Sequence, residues 1–455
     1  MNHPVTASGR LERQVSRRRF LQTSSAVAAA VAVVPATVLG RGAPAPNSRL
    51  DVACIGVGGR GAASVGGVGA ENIVALCDVD VSRAAAARAK HPRAKFFQDF
   101  RELFDRMEKE IDAVTVATPD HTHSVATMAA IRRGKHVFCE KPLAHSMLEV
   151  RTVTEAARVH GVATQLGNQG HSSDSIREFC EIIQDGAIGT VREVHAFVGN
   201  AYCPASRVRP LEQPPAPPSL DWELWLGPAP VRPYHPAYHP GKWRGWVDFG
   251  TGIAGDWTCH VLDPIFWALD LGAPTSAVAT AVDYSDPRIR AETFPPGCII
   301  RYEFPAKGER AAVTVNWYEG NCQPPRPPEL EPNRKLPNIG ALIRGDKGII
   351  LHGSHGAGGA QILPASRWND YRRPPRTIPR SRGHHADWIL ACKGGAPASA
   401  NFDYGGPLTE IAMLGVLAQR FNGDRLLWDS RAMRITNHPE ADRLLRPQLR
   451  DGWSL

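Results

Sequence analysis

The phrase LDVACIGVGGRG, Leu50–Gly61, most limits what this chain can fold into. Four consecutive apolar residues, Val52–Ile55, read as a strand buried on both faces, and such strands belong to parallel sheets. Gly56-Val57-Gly58-Gly59-Arg60-Gly61 then carries the spacing G-x-G-x-x-G between a strand and a helix. The first glycine permits a tight turn, the second a close backbone approach to a pyrophosphate, and the third close packing of helix on strand. Phosphate charge would sit against the unpaired N–H groups of the helix. The next apolar run ends at Cys77-Asp78, twenty residues after Gly58. A carboxylate there accepts ribose hydroxyls and repels a 2′-phosphate. The expectation is bound NAD rather than NADP, held by Gly56, Gly58, Gly59, Arg60, Gly61 and Asp78.

The rest of the chain extends this start into two domains. Apolar runs at Val52–Ile55, Ile73–Cys77, Lys95–Phe97, Ala113–Ala117, His136–Cys139 and Val162–Leu166 alternate with helical patterns such as Val81–Lys90, Val125–Arg133 and Met147–His160. That alternation predicts a doubly wound parallel sheet, a Rossmann domain, with right-handed crossovers. After Gln165 the texture changes. Asp174–Asp185 reads as a helix and Thr190–Val198 as a strand. Further strand-like runs follow at Ser276–Asp283, Cys298–Phe304, Ala311–Tyr318, Ala341–Arg344 and Gly348–His352. Without long helices between them they predict a mostly antiparallel open sheet. Ala201–Gly241, with Pro204, Pro210, Pro214, Pro215, Pro217 and Pro218, reads as an extended excursion without helix. Gln323–Pro337 is also proline-rich, Gly353–Gly359 is glycine-rich, and Asp387–Lys393 and Leu408–Phe421 read as helices. The fold class is therefore α/β: a leader and linker over residues 1–45, an NAD-binding Rossmann domain over 48–168, and a substrate-binding and oligomer-forming α/β domain over 169–455.

The N-terminus carries an address. SRRRFLQ at Ser16–Gln22 has the twin-arginine pattern, and the apolar stretch Ala26–Leu39 after it is too short to span a bilayer comfortably. The expectation is export by the twin-arginine translocase, which carries folded substrates, to the periplasm or the outer side of the inner membrane. Val38-Leu39-Gly40 and, less readily, Ala43-Pro44-Ala45 offer cleavage sites, and a retained anchor is the alternative. Arg10, Arg13, Arg17, Arg18 and Arg19 against Glu12 account for half of the net charge of +8, and no long Lys/Arg run follows residue 50. This balance argues against a nucleic-acid partner. The nine cysteines form no CxxC, and Cys54, Cys77 and Cys139 fall in buried strands, so neither a disulfide framework nor a metal site is expected.

Two later phrases bear on chemistry. The fourth strand ends in Thr118-Pro119-Asp120-His121-Thr122-His123, and the fifth in GKHVFCEKPL at Gly134–Leu143. Strand C-termini are where ligands gather in such sheets. His121 and His123 lack a third ligand at a regular spacing, so a turn bordering the cofactor is the better reading than a metal pair. The glycine fingerprint, TP-x-x-TH and Glu140-Lys141-Pro142 together resemble the glucose–fructose oxidoreductase, inositol dehydrogenase and rhizopine catabolism group (Gfo/Idh/MocA), over nearly all of the chain beyond residue 48. The resemblance implies a Rossmann domain followed by an α/β domain whose open sheet carries the substrate and often the oligomer contacts, with sugars and cyclitols as substrates. It places the family's lysine on Lys141, followed by Pro142, often in a cis peptide. It also places an Asp and a His, four apart and so on one helical face, on Asp256 and His260. Cofactor contacts are then expected from Thr118, Pro119, His123, Glu140, Lys141, Asn168 and Gln169, and substrate contacts from Lys141, Gln169, Arg244, Trp257 and His260. GNQGHSS at Gly167–Ser173, WELWLGPAP at Trp222–Pro230 and GDWTCHVLDPIFWALDLG at Gly255–Gly272 resemble exported, twin-arginine-tagged members, some of which are NAD-dependent glycosidases.

Oxidising an alcohol needs a base for the O–H, and an imidazole titrates in the useful range. His260 is the expected base, Lys141 the group stabilising charge on the reacting oxygen, and Asp256 the orienter. The aromatic stretch Trp222, Trp225, Tyr234, Tyr238, Trp243 and Trp246 can stack on a sugar or form core. Three readings stay open: net oxidation of a sugar, cyclitol or glycoside hydroxyl; a redox-neutral glycosidase that passes through a 3-keto sugar and elimination; and a sugar-binding module stabilised by its cofactor. His384-His385 is expected in a solvated loop, Tyr371–Arg382 as an arm reaching a neighbouring subunit, and the protein as a homo-oligomer.

Overall fold

The computed structural model describes residues 48–199, 203 and 205–455, together with Met1. The twin-arginine segment lies outside the described residues. From Leu50 the chain forms one compact unit.

The first sheet is built from β1 (Asp51–Ile55), β2 (Asn72–Cys77), β3 (Lys95–Phe97), β4 (Ala113–Val116), β5 (His136–Cys139) and β6 (Thr164–Leu166). All its pairings are parallel, in the order β3-β2-β1-β4-β5-β6. β4 is buried throughout, as helices on both faces require. Local signals set the crossovers: Asp80 and Asp99 accept from Ser82 N and Arg101 N at two helix starts, and Ser146 accepts from Glu149 N at a third.

The second sheet has nine strands in the order β13-β12-β11-β7-β10-β9-β8-β14-β15. They are β7 (Val191–Val198), β8 (Ser276–Ala281), β9 (Gly297–Phe304), β10 (Val313–Gly320), β11 (Ile339–Gly345), β12 (Gly348–Gly353), β13 (Gln361–Leu363), β14 (Arg425–Asp429) and β15 (Arg434–Ile435). Only β7–β10 is parallel. The Gly252–Val261 and Phe402–Arg420 helices pack together beside this sheet. Chain beyond residue 383 also returns to the first domain. Trp388 is buried in the core beneath β1 and β5, and the Phe402–Arg420 helix packs on Met147–His160.

Several expectations need correction. The Ala201–Gly241 excursion is not wholly extended: Trp222–Leu226 within it is a short helix. No proline falls between Pro218 and Pro228, and Asp221 caps the helix in that gap by accepting from Leu224 N. The last long helix starts at Phe402 rather than Leu408 and carries Pro407 inside it, because Asn401 caps the earlier start. His384 is buried, bonded to Leu166 O at 2.7 Å and Ser172 Oγ at 2.8 Å, and His385 stacks on Phe138 at 4.4 Å. Neither is a solvated loop residue. Apart from these corrections, the Tyr371–Arg382 segment also makes bonds to its own chain. Glu181 accepts from Thr377 N, Ile378 N and Arg380, and Arg177 donates to Pro379 O.

Most of the excursion's aromatics form a satellite core. Trp222 stacks on Trp225 at 4.6 Å, and Tyr238 meets Trp246 edge-on at 4.9 Å. At its centre Arg232, 4% exposed, lies over Phe249 and pairs with Asp248 and Glu292. The excursion is also tied to the turn after β2: Val81 N donates to Ser219 O, Asp221 N to Val79 O, and His239 bonds Asp80 at 3.1 Å. It therefore roofs the C-terminal ends of the first sheet.

Candidate active site

Beneath that roof lies a cleft of about 400 Å³. Its walls bring together Gly56, Gly58, Gly59, Arg60, Asp78, Thr118, Pro119, His123, Glu140, Lys141, Gln169, Arg244, Asp256 and His260, from widely separated parts of the chain. Gly61 stands just behind.

The glycine turn fits a dinucleotide. A Cβ on Gly61 would lie 1.9 Å from Gly56 O, so only glycine lets the helix start this close to the turn. Gly56 sits at φ +75°, and its Cβ would be 2.7 Å from the Ala117 carbonyl carbon. The amides of Gly59 and Arg60 have no acceptor among the described residues, and the buried Thr118 Oγ1 has no partner. Asp78 Oδ2 accepts from Val57 N at 3.0 Å and Gly58 N at 3.1 Å, which braces the turn from the end of β2. Burial raises the Asp78 carboxyl above its ordinary value, and those amide bonds oppose the rise. Donors without acceptors, glycines where a Cβ would collide and a carboxylate at the end of β2 suit a pyrophosphate and a diol.

Two turns meet at the end of the cleft that holds Lys141. His123 joins them: its Nδ1 lies 2.7 Å from Pro142 O and its Nε2 2.8 Å from Thr118 O. Both neighbours are carbonyl acceptors at short range, which favours the doubly protonated ring with both nitrogens donating. Burial acts against that charge, but Cys139, Asp120 and the Pro142 carbonyl outweigh it and lift the ring to about 9. Glu140 is largely spent inside the protein, accepting from Arg60 Nε, Ser64 Oγ and Gln169 Nε2. The Lys141–Pro142 peptide is cis. The Lys141 ammonium donates to Asp256 O at 2.9 Å and pairs with Asp256 Oδ1; Arg244 Nε approaches Asp256 Oδ2 at 3.6 Å.

The Gly252–Val261 helix delivers Asp256 and His260 to the same end. His260 is 6% exposed, and neither ring nitrogen has a hydrogen-bond partner among the described residues. Burial pushes its pKa well below the ordinary value, and the positive charge of Lys141 adds to this. The ring is therefore neutral and able to accept a proton.

Two expected contacts are not in the cleft. Asn168 is fully buried: the turn after β6 points it inward, and its Nδ2 donates to Asp263 at 3.1 Å within a cluster that includes His171 and Tyr404. Trp257 does not line the cleft either; it meets His260 edge-on at 5.6 Å from behind. Other residues enter that the sequence did not single out for this place. Asp120 is buried beside His123 and accepts from Thr251 Oγ1 at 2.6 Å; burial raises its pKa, and His123 opposes the rise. Arg83, His239 and His355 also line the walls, as does Trp243 of the aromatic stretch. An acidic residue directly after Thr118-Pro119 was a signal for Asp120, but nothing in the sequence links Arg83, His239 or His355 to this place.

Residues 50–168 match an oxidoreductase family, Gfo/Idh/MocA, through its NAD-binding Rossmann fold, and residues 181–293 match that family's C-terminal alpha/beta domain. The chain belongs to this family. NAD is the cofactor that its first domain binds. Similar curated proteins include 1,5-anhydro-D-fructose reductase of Ensifer adhaerens, 28% identical over 46% of this chain and 51% of that protein. Inositol 2-dehydrogenase 2 of Saccharopolyspora erythraea is 36% identical over 30% of this chain and 41% of that protein. The chain thus aligns with about half or less of the length of these relatives. Among solved structures, the WlbA dehydrogenase from Bordetella pertussis, in complex with NADH and UDP-GlcNAcA, is similar with a TM-score of 0.58 at 16% identity, over 84% of this chain and 99% of that one. An inositol dehydrogenase homologue from Azotobacter vinelandii, complexed with NADH and myo-inositol, has a TM-score of 0.54 at 16% identity, over 84% and 98%. At these identities the likeness speaks for the fold.

Proposed function

We propose that this protein oxidises a ring hydroxyl of a sugar, cyclitol or glycoside, with His260 as the base. One observation carries the reading: a buried, neutral imidazole without any protein partner faces a dinucleotide cleft beside a lysine already fixed by a carboxylate. A native protein does not leave such a ring unsatisfied without cause. NAD bound in the cleft would supply the acceptor for the carbon-bound hydrogen. His260 takes the hydroxyl proton as charge develops on the oxygen. The Lys141 ammonium, held by both oxygens that Asp256 offers, donates to that oxygen and stabilises the charge. Asp256 and Arg244 fix the direction of the lysine, and His123 fixes the backbone on which it stands. Relatives named for anhydrofructose and inositol support the substrate class. We also propose export by the twin-arginine route and assembly as a homo-oligomer, on the strength of Ser16–Gln22 and of the open nine-stranded sheet.

The test is an absorbance spectrum of the NAD-loaded protein while a panel containing glucose, myo-inositol and simple glycosides is added. A rise near ~340 nm with one class is expected. No response from any member, with NAD demonstrably bound, would overturn the reading. Cell fractionation followed by sequencing of the protein's N-terminus tests export, and a product with intact Met1 in the soluble cytosol would refute it.

A further inference from the structure

His355 comes from the Gly353–Gly359 loop between β12 and β13, far from every motif that marks the site. Its ring nevertheless lies 4.3 Å from that of His260, tilted by 33°, and 5.4 Å from Trp257. The residue is exposed to the cleft, and its backbone is left-handed at φ +52°. Non-glycine residues seldom hold that conformation unless their surroundings impose it. Here they do: Ser175 Oγ donates to Gly356 O at 2.7 Å, and a Cβ on Gly170 would fall 2.5 Å from the carbonyl carbon of His355. Gly170 follows Gln169, which itself lines the cleft, so the loop is fixed to the site. Ser354 Oγ engages His355 Nδ1 at 2.9 Å, and Nε2 has no partner among the described residues.

Resting on the reading above, we propose that His355 contacts the substrate and reads the hydroxyl adjacent to the one His260 deprotonates, so that the site selects polyols with two neighbouring ring hydroxyls. Partial desolvation and the positive charges of Lys141 and Arg60 lower the ring's pKa and so favour the neutral form, which can accept or donate a hydrogen bond. Two neutral imidazoles at this separation each offer a nitrogen to one of two vicinal oxygens. A substrate lacking the second hydroxyl leaves Nε2 without that partner, and sites built around a hydroxyl discriminate against its absence.

The experiment compares wild type, His355→Ala and His355→Asn on the compound that reduces bound NAD, and on its monodeoxy derivatives at the two flanking carbons. KM and kcat are read in turnover, and equilibrium binding to the NADH-loaded protein by tryptophan quenching. His355→Ala should weaken binding and raise KM for the parent about tenfold, the loss of one hydrogen bond, with kcat within a few-fold. It should leave one monodeoxy derivative unaffected. His355→Asn, which tolerates the left-handed backbone and keeps a polar tip, should recover part of the loss. An equal loss on the parent and on both derivatives, or a fall in kcat alone, overturns the inference while the oxidoreductase reading stands. Failure of every compound to reduce NAD overturns both.

Discussion

Replacing His123 by glutamine should cost stability in a pH-dependent way. The ring spans two carbonyl oxygens, Thr118 O and Pro142 O, at 2.8 and 2.7 Å. Only the imidazolium satisfies both; the neutral ring turns a lone pair on one of them. The folded pKa is raised to about 9, against about 6.5 for an unfolded histidine. A group raised on folding contributes its full stabilisation below the unfolded value and loses it as pH climbs through the folded one. The contribution at pH 6 is about 3 kcal/mol, falling through pH 7–9 and gone near pH 10. His123 is 1% exposed, so solvent screens little of it. A glutamine in its place cannot titrate, and one end of the amide meets a carbonyl with an oxygen. Urea unfolding of wild type and His123→Gln at half-unit pH steps isolates the effect of His123 and its coupled neighbours Asp120 and Cys139, because titrating groups elsewhere cancel in the difference. That difference should shrink by about 3 kcal/mol between pH 6 and 10. A difference flat across this range would refute the imidazolium, and with it the argument that His123 fixes the lysine turn by charge.

Asp256→Asn should lower kcat by about 10²-fold or more, because Lys141 loses its counter-charge, while NAD affinity changes little; kinetics and calorimetric NAD binding separate the two. Gly61→Ala should weaken NAD binding and lower stability by about 1–3 kcal/mol, since the new methyl meets Gly56 O at 1.9 Å; unchanged NAD titration would count against the turn as cradle. Asp78→Ala should shift preference from NAD toward NADP and loosen the Val57–Gly58 turn, read as the ratio of the two affinities. Glu319 is fully buried between Trp317 Nε1 and Gln419 Nε2, and burial lifts its carboxyl to about 7. A carboxyl raised on folding costs stability as pH rises above its unfolded value, so Glu319→Gln should raise the melting temperature at pH 8 and not at pH 4.5.

What was legible in the sequence was what local spacing encodes. Val52–Ile55 announces a strand by its apolar run, and the glycines of 56–61 announce their turn by position. Asp256 and His260 share a face because four residues make about one helical turn. Lys141 was legible through its neighbours Glu140 and Pro142. What escaped was decided by tertiary packing. His355 reaches His260 from a different strand connection, and no period links residues so far apart. Asn168 follows a strand end where a ligand contact is reasonable, yet Asp263 competes for its amide and turns it inward. His384 and His385 sit between arginines and prolines that look solvated, but the chain returns them to the first sheet, where Leu166 O and the Phe138 ring await.

The histidines around the cleft show why residue type alone could not assign the site. His121 and His123 stand two apart on one helix, both buried, and each lies between two carbonyls. Yet burial pushes His121 down to about 3, while His123 rises to about 9. The Phe249 carbonyl is 3.2 Å from His121 and leaves its lone pair tolerable, whereas both contacts of His123 are short and Asp120 and Cys139 stand beside it. His260 has no carbonyl at all, and Lys141 helps keep it neutral. One ring is thus a neutral brace for the roof, one a charged clamp for the lysine turn, and one a vacant acceptor facing the cleft. Of these three only the last has unmet hydrogen-bonding capacity and a reason to be neutral, and that combination supports the proposal that it is the base.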